Sequence, residues 1–308
     1  MSPRSPVFRA DVADGVCRFW RTDGPTRFLS TGFDGGVRVA DAAHNVTVPE
    51  GWDDAGRRDL REYVDRRVRD AGFEAGGDGA SGDRSAAPAL LTGVDQRHAR
   101  LARLDGATVV ATAGVSNPAA LSVTSVDGDA VDDGPARVDA GTDGDTTGRG
   151  DVDGDDAGGE GDDAPPAGTV NLLVGTERAL ESGALANLVA VAAEAKAATL
   201  LATVGFPGTT SDAVVVGCPT DTGPGGPEAD DREPAAFSGA ATPVGSAVRA
   251  CVRDAVRASL VSRYGPELEE APASVADAEY GVVTDRPARV STPDATDPAS
   301  GETPAADR

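Results

Sequence analysis

The chain has 308 residues, enough for one large domain or two small ones, and carries 51 acidic against 28 basic residues for a net charge of −23. That surplus repels nucleic acid and anionic membranes, which excludes both as partners. It also keeps a protein soluble where salt screens charge, so it reads as the surface of a cytosolic protein from a high-salt cell, not as an acidic functional tail.

The first twenty residues hold no apolar stretch of the kind a signal peptide needs. Residues 27–48, "RFLSTGFDGGVRVADAAHNVTV", give two or three strands with Gly35-Gly36 as the first turn. A helix is predicted from Asp53 to Ala71, with Leu60, Tyr63, Val64 and Val68 as its apolar stripe. "PALLTGV" is a short strand, "DQRHARLARL" a short helix, and "ATVVATAGV" a strand. Residues 127–167 are dominated by Asp, Gly, Thr and Ala and are expected to be a disordered acidic insertion, because they cannot bury enough apolar surface to offset ordering. "DVDGDD" within it fails as a calcium loop, with Asp156 where the sixth-position glycine belongs.

"GTVNLLVG" is the next strand, and a long helix follows from about Ala179 to Leu201. Its run "ALANLVAVAAEAKAATLLAT" is Ala-rich and interrupted by Glu194 and Lys196, so a buried core helix is expected rather than a membrane span. "DAVVVGC" is a strand, residues 221–234 a flexible loop, and residues 242–265 a final helix with Val248, Val252, Val256 and Leu260 at i, i+4 spacing. The tail from residue 286 is Pro-, Thr- and Asp-rich and is expected to fray. The fold class is therefore α/β or α+β: one layered domain over residues 1–285, a mixed sheet with packed helices.

Four polar clusters sit at strand ends: "LSTGFDGG" with the later Asn45, "TAGVSNP", "GTVN" and "GTTSDA". Each alone is an ordinary turn, but four in one domain can converge on a single cleft. The chemistry is hydrogen bonding to a large polar ligand, or hydroxyl-based acyl chemistry. Ser116 and Thr169, with Thr209, Thr210 and Ser211, offer hydroxyls for a nucleophile or for positioning. Asn117 and Asn171 offer donors to an oxyanion, and Asp212 and Glu194 offer bases. Ser30, Gly36, Asn45, Thr112 and Gly114 complete the ligand-facing set with Ser116, Asn117, Thr169 and Asn171.

A Ser-His-Asp triad has little support, since the chain has two histidines, His98 in a charged segment and His44 beside Asn45. Cys17, Cys218 and Cys251 form no Cys-x-x-Cys pair, which argues against zinc or a disulfide framework and fits a reducing cytosol. No metal or cofactor is expected. Lys196 is the chain's one lysine; every other basic position is an arginine. A buried ammonium there can pair with a loop carboxylate such as Asp212, hold a substrate amide oxygen, or act as a base. Glu194 and Lys196 are two apart on a helix, so they point in different directions and cannot share one face.

In this order, "LSTGFDGG" with "HNV", "VVATAGVSNPA", "GTVNLLV", "AEAKAATLL", "GTTSDAVVVG" and "TPVGSAVRACV" resemble the adenosylcobinamide amidohydrolase family of archaeal cobamide salvage. The resemblance implies a hydrolase that cleaves the amide between the corrin ring's propionyl side chain and aminopropanol, with a small-molecule corrinoid as substrate. The chain departs from the family's Thr-Gly-Thr-x-Thr-Asp loop, with Phe206 and Pro207 before Gly208 and Ser211 before Asp212. A corrinoid- or nucleotide-binding protein without hydrolytic activity would use the same loops for recognition alone.

Overall fold

The computed structural model describes residues 6–49, 59–73, 86–122, 168–220, 233–288 and 290–292. The expected insertion at 127–167, and most of the 221–234 loop and of the tail, lie outside them.

Two Asp-Gly pairs build hairpins. Strands β1 (Phe8–Ala13) and β2 (Val16–Arg21) are joined by Asp14-Gly15, both in the left-handed region with φ of 43° and 73°. That is the two-residue turn whose twist matches paired strands. β3 (Thr26–Ser30), β4 (Gly36–Ala40) and β5 (Ala42–Thr47) follow, with Gly36 itself at φ 100°. Helix α1 (Leu60–Asp70) starts on Asp59, whose carboxylate accepts from Glu62 N–H at 3.0 Å. Strand β6 (Ala89–Thr92) follows.

The helix expected over residues 95–104 is not formed. A single 3-10 turn at Gln96–His98 leads into β7 (Arg100–Leu104), and Asp105-Gly106, with φ of 45° and 78°, turns the chain into β8 (Ala107–Ala113). Pairing of Leu104 with Ala107 closes this hairpin, and the ladder outweighs the helical spacing of Leu101 and Leu104.

The remaining elements are β9 (Pro118–Leu121), β10 (Val170–Thr176), α2 (Ser182–Val204), β11 (Gly208–Thr209), β12 (Ala213–Pro219), α3 (Pro243–Tyr264) and β13 (Val282–Thr284). α2 ends on Gly205 at φ 83°, and α3 begins on Thr242 with Pro243 in its first turn.

The strands form a four-stranded sheet (β1-β2-β5-β6), a six-stranded sheet (β4-β3-β12-β10-β8-β7) and a small sheet (β11-β9-β13). β10 and β12 are parallel and joined through α2, while the other pairs of the six-stranded sheet are antiparallel. The layering follows from side-chain alternation. Val109, Ala111, Leu172, Val174, Val214 and Val216 face α2 and α3, while Val110, Leu173 and Val215 meet Phe8, Phe19 and Phe28 between the two large sheets. On the far side of the four-stranded sheet, Val16 and Val46 pack on Tyr63, Val64 and Val68 of α1. The expected mixed sheet with packed helices is present, as an α+β stack of helices, sheet, sheet and helix.

α2 is long and apolar enough to cross a membrane by composition. One of its faces is buried on the six-stranded sheet through Leu185, Leu188, Ala192 and Leu200, as expected of a core helix.

Candidate active site

At one end of the six-stranded sheet, β3 and β8 finish while β10 and β12 begin. This brings the four polar clusters together. Thr31, just past β3, exchanges bonds with Val214: its N–H donates to the carbonyl at 3.0 Å, and its hydroxyl accepts from Val214 N–H at 2.9 Å. Asn117 O accepts from Thr210 N–H at 3.1 Å, and Gly114 N–H donates to Thr169 O at 3.0 Å. The loops after β3, β8 and α2 and the entry to β10 are thus one bonded assembly.

Asp212 is its centre. Its carboxylate accepts from Val170 N–H at 2.8 Å and Thr209 N–H at 3.0 Å, from the Thr209 hydroxyl, and from the Lys196 ammonium of α2. The Lys196 and Asp212 side chains are only 10% and 11% exposed. A buried pair of charges persists where further donors occupy the remaining lone pairs, and four donors meet one carboxylate here. Gly208 makes the approach possible: a Cβ there would lie 2.9 Å from Asp212 Oδ2.

A second hydroxyl pair lies beside it. Thr169 Oγ1 and Ser211 Oγ are 2.9 Å apart, with Thr169 buried and Ser211 exposed. Thr210 is exposed as well. Asn117 Oδ1 accepts from Gly168 N–H at 3.1 Å, and the amide's Nδ2 remains a donor.

Deeper in, between the two large sheets, Asn45, Thr112 and Asn171 form a buried chain. Asn45 Nδ2 donates to Thr112 Oγ1 at 2.8 Å and Asn171 Nδ2 to Asn45 Oδ1 at 3.0 Å. Asn171 Oδ1 accepts from Ala213 N–H at 3.2 Å. Asn171 and Asp212 therefore clamp reciprocally, each side chain holding the backbone beside the other. Asn45, Thr112 and Asn171 bond one another, and Asn171 ties the chain to the backbone through Ala213 N–H and Leu91 O at 2.9 Å. Ser30 is also buried and accepts from Gly32 N–H at 3.1 Å, while Gly36 is exposed at the start of β4.

Glu194 is not brought to this cluster. It lies on the opposite face of α2, 67% exposed, and meets Arg249 of α3 at 3.3 Å. A groove of about 590 Å³ opens on that outer side, between α2 and α3, lined by Thr199, Thr203, Arg249, Arg253 and Arg257 among small residues. None of the four polar clusters reaches the groove; they meet at the sheet end instead.

His44 also lies elsewhere, buried on β5, where desolvation aided by the Arg18 and Arg61 charges pushes its imidazole down to about 4. Two of the three thiols are poor nucleophiles: burial, with the Asp11 charge, pushes Cys17 up to about 12, and burial, with Asp254 and Asp105, pushes Cys251 to about 11. Among the described residues no group of three potential ligands is placed to hold a metal ion.

Two supporting residues are absent from the sequence-based set. Ser259 Oγ of α3 accepts from Ala113 N–H at 2.8 Å and donates to His98 O, and Tyr264 OH accepts from Val115 N–H at 2.8 Å. Together they pin the strand end that carries Ser116 and Asn117. The legible signal was a serine adjoining the apolar stripe of the last helix, at 259 beside Leu260.

Residues 7–267 match the family model described as adenosylcobinamide amidohydrolase. The chain is 47% identical over 287 residues to a Halobacterium salinarum protein named adenosylcobinamide amidohydrolase, covering 93% of this chain and 100% of that one. A solved structure, the PH0078 protein of Pyrococcus horikoshii OT3, aligns over 84% of this chain and 80% of its own at 10% identity, with a TM-score of 0.36. That score is too low to bear on fold or function.

Proposed function

The chain belongs to the adenosylcobinamide amidohydrolase family, and from that premise we propose that it hydrolyses the aminopropanol amide of adenosylcobinamide to adenosylcobyric acid and 1-amino-2-propanol. The observation that carries the mechanism is the buried Lys196–Asp212–Thr209 cluster at the sheet end. In this reading Thr209 Oγ is the nucleophile. Its proton passes to Asp212 as the oxygen bonds to the amide carbon and the carbonyl π pair moves onto oxygen. When the C=O re-forms, the C–N bond breaks and that proton goes to the departing amine. Water then repeats the sequence on the resulting ester and releases the acid. Lys196 holds Asp212 in place and balances its charge while the proton is away. Asn117 Nδ2, with Ser116, Ser211 and Thr210, would meet the amide-rich rim of the corrinoid.

The raised Cys17 and Cys251 thiols favour hydroxyl over thiolate chemistry. The reading calls for no cofactor beyond the corrinoid substrate, and it places the enzyme in a salt-rich cytosol, where a charge of −23 is screened. The test is incubation of the purified protein with adenosylcobinamide in molar salt, followed by mass analysis. Appearance of adenosylcobyric acid and free aminopropanol is expected. Tight binding with the ligand unchanged would show a corrinoid-binding protein instead.

A further inference from the structure

Strands β7 and β8 stop pairing before β8 reaches the site. Their register sets Arg100 opposite Ala111, and two residues further on it would set His98 opposite Ala113. Gly114 N–H donates toward β10, to Thr169 O, so the alternation along a strand turns the Ala113 and Val115 N–H groups to the β7 side. In an unbroken antiparallel ladder those donors would meet the carbonyls of residues 98 and 96. The chain there is a 3-10 turn instead, in which Gln96 O accepts from Ala99 N–H at 2.9 Å and Asp95 O from His98 N–H at 3.0 Å. Helix α3 takes the place of the missing ladder. Ser259 Oγ accepts from Ala113 N–H at 2.8 Å and donates to His98 O at 2.8 Å, so one hydroxyl oxygen is interposed between the two backbones. At the last residue of α3, Tyr264 OH accepts from Val115 N–H at 2.8 Å. Ser259, Ala113, Val115 and Tyr264 are all buried, so these hydroxyls and not bulk water complete the pairing of the strand end.

The held stretch runs straight into the site. Asn117 O accepts from Thr210 N–H at 3.1 Å, and Pro118 lies opposite Thr209 where β9 pairs with β11. Thr209 Oγ1 in turn donates to Asp212. Between the Tyr264 hydroxyl and the Thr209 loop there is only the stretch Val115 to Asn117, with a hydrogen bond at each end.

We propose that Tyr264 and Ser259 are positioning residues of this hydrolase: their hydroxyls replace β7 as partners of the end of β8, and through Val115–Asn117 they set the β9–β11 pair on which Thr209 stands. The inference rests on the amidohydrolase reading above and adds to it the groups that aim the nucleophile. Both hydroxyls act through the strand they hold. Alignment of this kind carries much of catalysis, and a misplacement of about 1 Å caused far from the chemistry can cost about 100-fold.

Two variants test it in the full chain, Tyr264→Phe and Ser259→Ala, each deleting one hydroxyl. Val248→Ala, a fully buried core residue about three turns earlier on the same helix, is the control for lost stability. Circular dichroism melts set an assay temperature at which every protein is folded. Steady-state hydrolysis of adenosylcobinamide gives kcat and KM, and corrinoid absorbance titration gives substrate binding. Tyr264→Phe and Ser259→Ala are expected to lose about tenfold or more in kcat with KM within about threefold, because the substrate still binds while the nucleophile is misaligned. Val248→Ala leaves a cavity and is expected to melt earlier, yet keep kcat within about twofold of wild type. A merely structural role would lower the melting temperatures and leave kcat of the folded proteins unchanged, and that result overturns the proposal. A loss of kcat that follows the melting temperature across all three variants overturns it too. If Ser259→Ala does not fold, Tyr264→Phe, which removes a single oxygen, decides: kcat within about threefold of wild type overturns the proposal. Wild-type protein that binds the substrate without hydrolysing it refutes the amidohydrolase reading itself. An active wild type beside equally active variants refutes only the positioning role.

Discussion

Two ion pairs leave opposite faces of α2, two residues apart in sequence, and they share chemistry but not circumstance. On the inner face Lys196 meets Asp212, both nearly buried, with three further donors on the carboxylate. On the outer face Glu194 meets Arg249, with 67% and 39% of their side chains exposed. The inner pair is barely screened by water or salt, and removing one partner strands a charge in the protein. The outer pair trades one set of solvated contacts for another. Burial is what distinguishes the two pairs.

The largest expected effect comes from breaking the inner pair. Asp212→Asn should lower kcat at least about 100-fold and cost about 3–5 kcal/mol of stability, because Lys196 is left without its counter-charge. Lys196→Arg should cost more than about tenfold in turnover, since a guanidinium does not fit a space shaped for one ammonium. Because the pair acts as a unit, Lys196→Ala combined with Asp212→Asn should cost little more than the worse single change. Steady-state kinetics and thermal melts of the wild type, Lys196→Ala, Asp212→Asn and the double variant give the cycle. Full additivity of the losses would show that the two residues work separately and would end the comparison.

Thr209→Val narrows the question to the hydroxyl. The swap keeps shape and β-branching but removes the donor to Asp212, so turnover should fall about 100-fold or more while Thr209→Ser retains most of it. Release of aminopropanol by each variant is the measurement. Wild-type turnover by the valine variant would move the nucleophile to Ser211 or to water.

Much of this was legible before any fold was drawn. The four polar clusters and Asp212 at the mouth of a β-branched strand could be read as local patterns, and Lys196 stood out as the single lysine. The direction of α2 could not be read. Spacing shows that Glu194 and Lys196 diverge, but an Ala-rich helix has no stripe to say which face is inward, so both stayed candidates. The Asn45–Thr112–Asn171 chain is illegible for another reason: it joins residues 67 and 126 positions apart across two sheets. The hairpin at Asp105-Gly106 is legible in its turn residues, against the helical spacing before it. Its flanking strand, Arg100 to Leu104, is half exposed and spaced like a helix, and the turn chemistry was the better guide.

His44 is a third case, a titratable group that is buried with no carboxylate partner among the described residues. Its imidazole is held down to about 4, below the ordinary 6.5, first by desolvation and then by the Arg18 and Arg61 charges. The folded state therefore resists the proton that the unfolded chain accepts. Stability from this group is fully present above pH 6.5 and falls as pH drops toward 4, by about 3 kcal/mol at most. Denaturant titrations of the wild type and of His44→Phe between pH 7 and 4 should show a shallower loss in the variant. Parallel curves would mean that His44 is as free to ionise in the folded protein as in the unfolded chain.

The smallest effect belongs to the outer pair. Glu194→Gln removes its charge but keeps its length, and exposed pairs of this kind contribute about 0–1 kcal/mol, less in salt. Turnover should stay within about twofold of wild type, and the melting temperature should fall by no more than a few degrees at low salt and less at molar salt. Lys196→Arg, measured beside it, should show a deficit that does not shrink with salt, because its partner is buried. The two salt series together separate the faces of α2 more sharply than either variant alone. A large loss of kcat in Glu194→Gln, with substrate binding intact, would mean that the outer groove takes part in the reaction and that the chemistry is not confined to the sheet end.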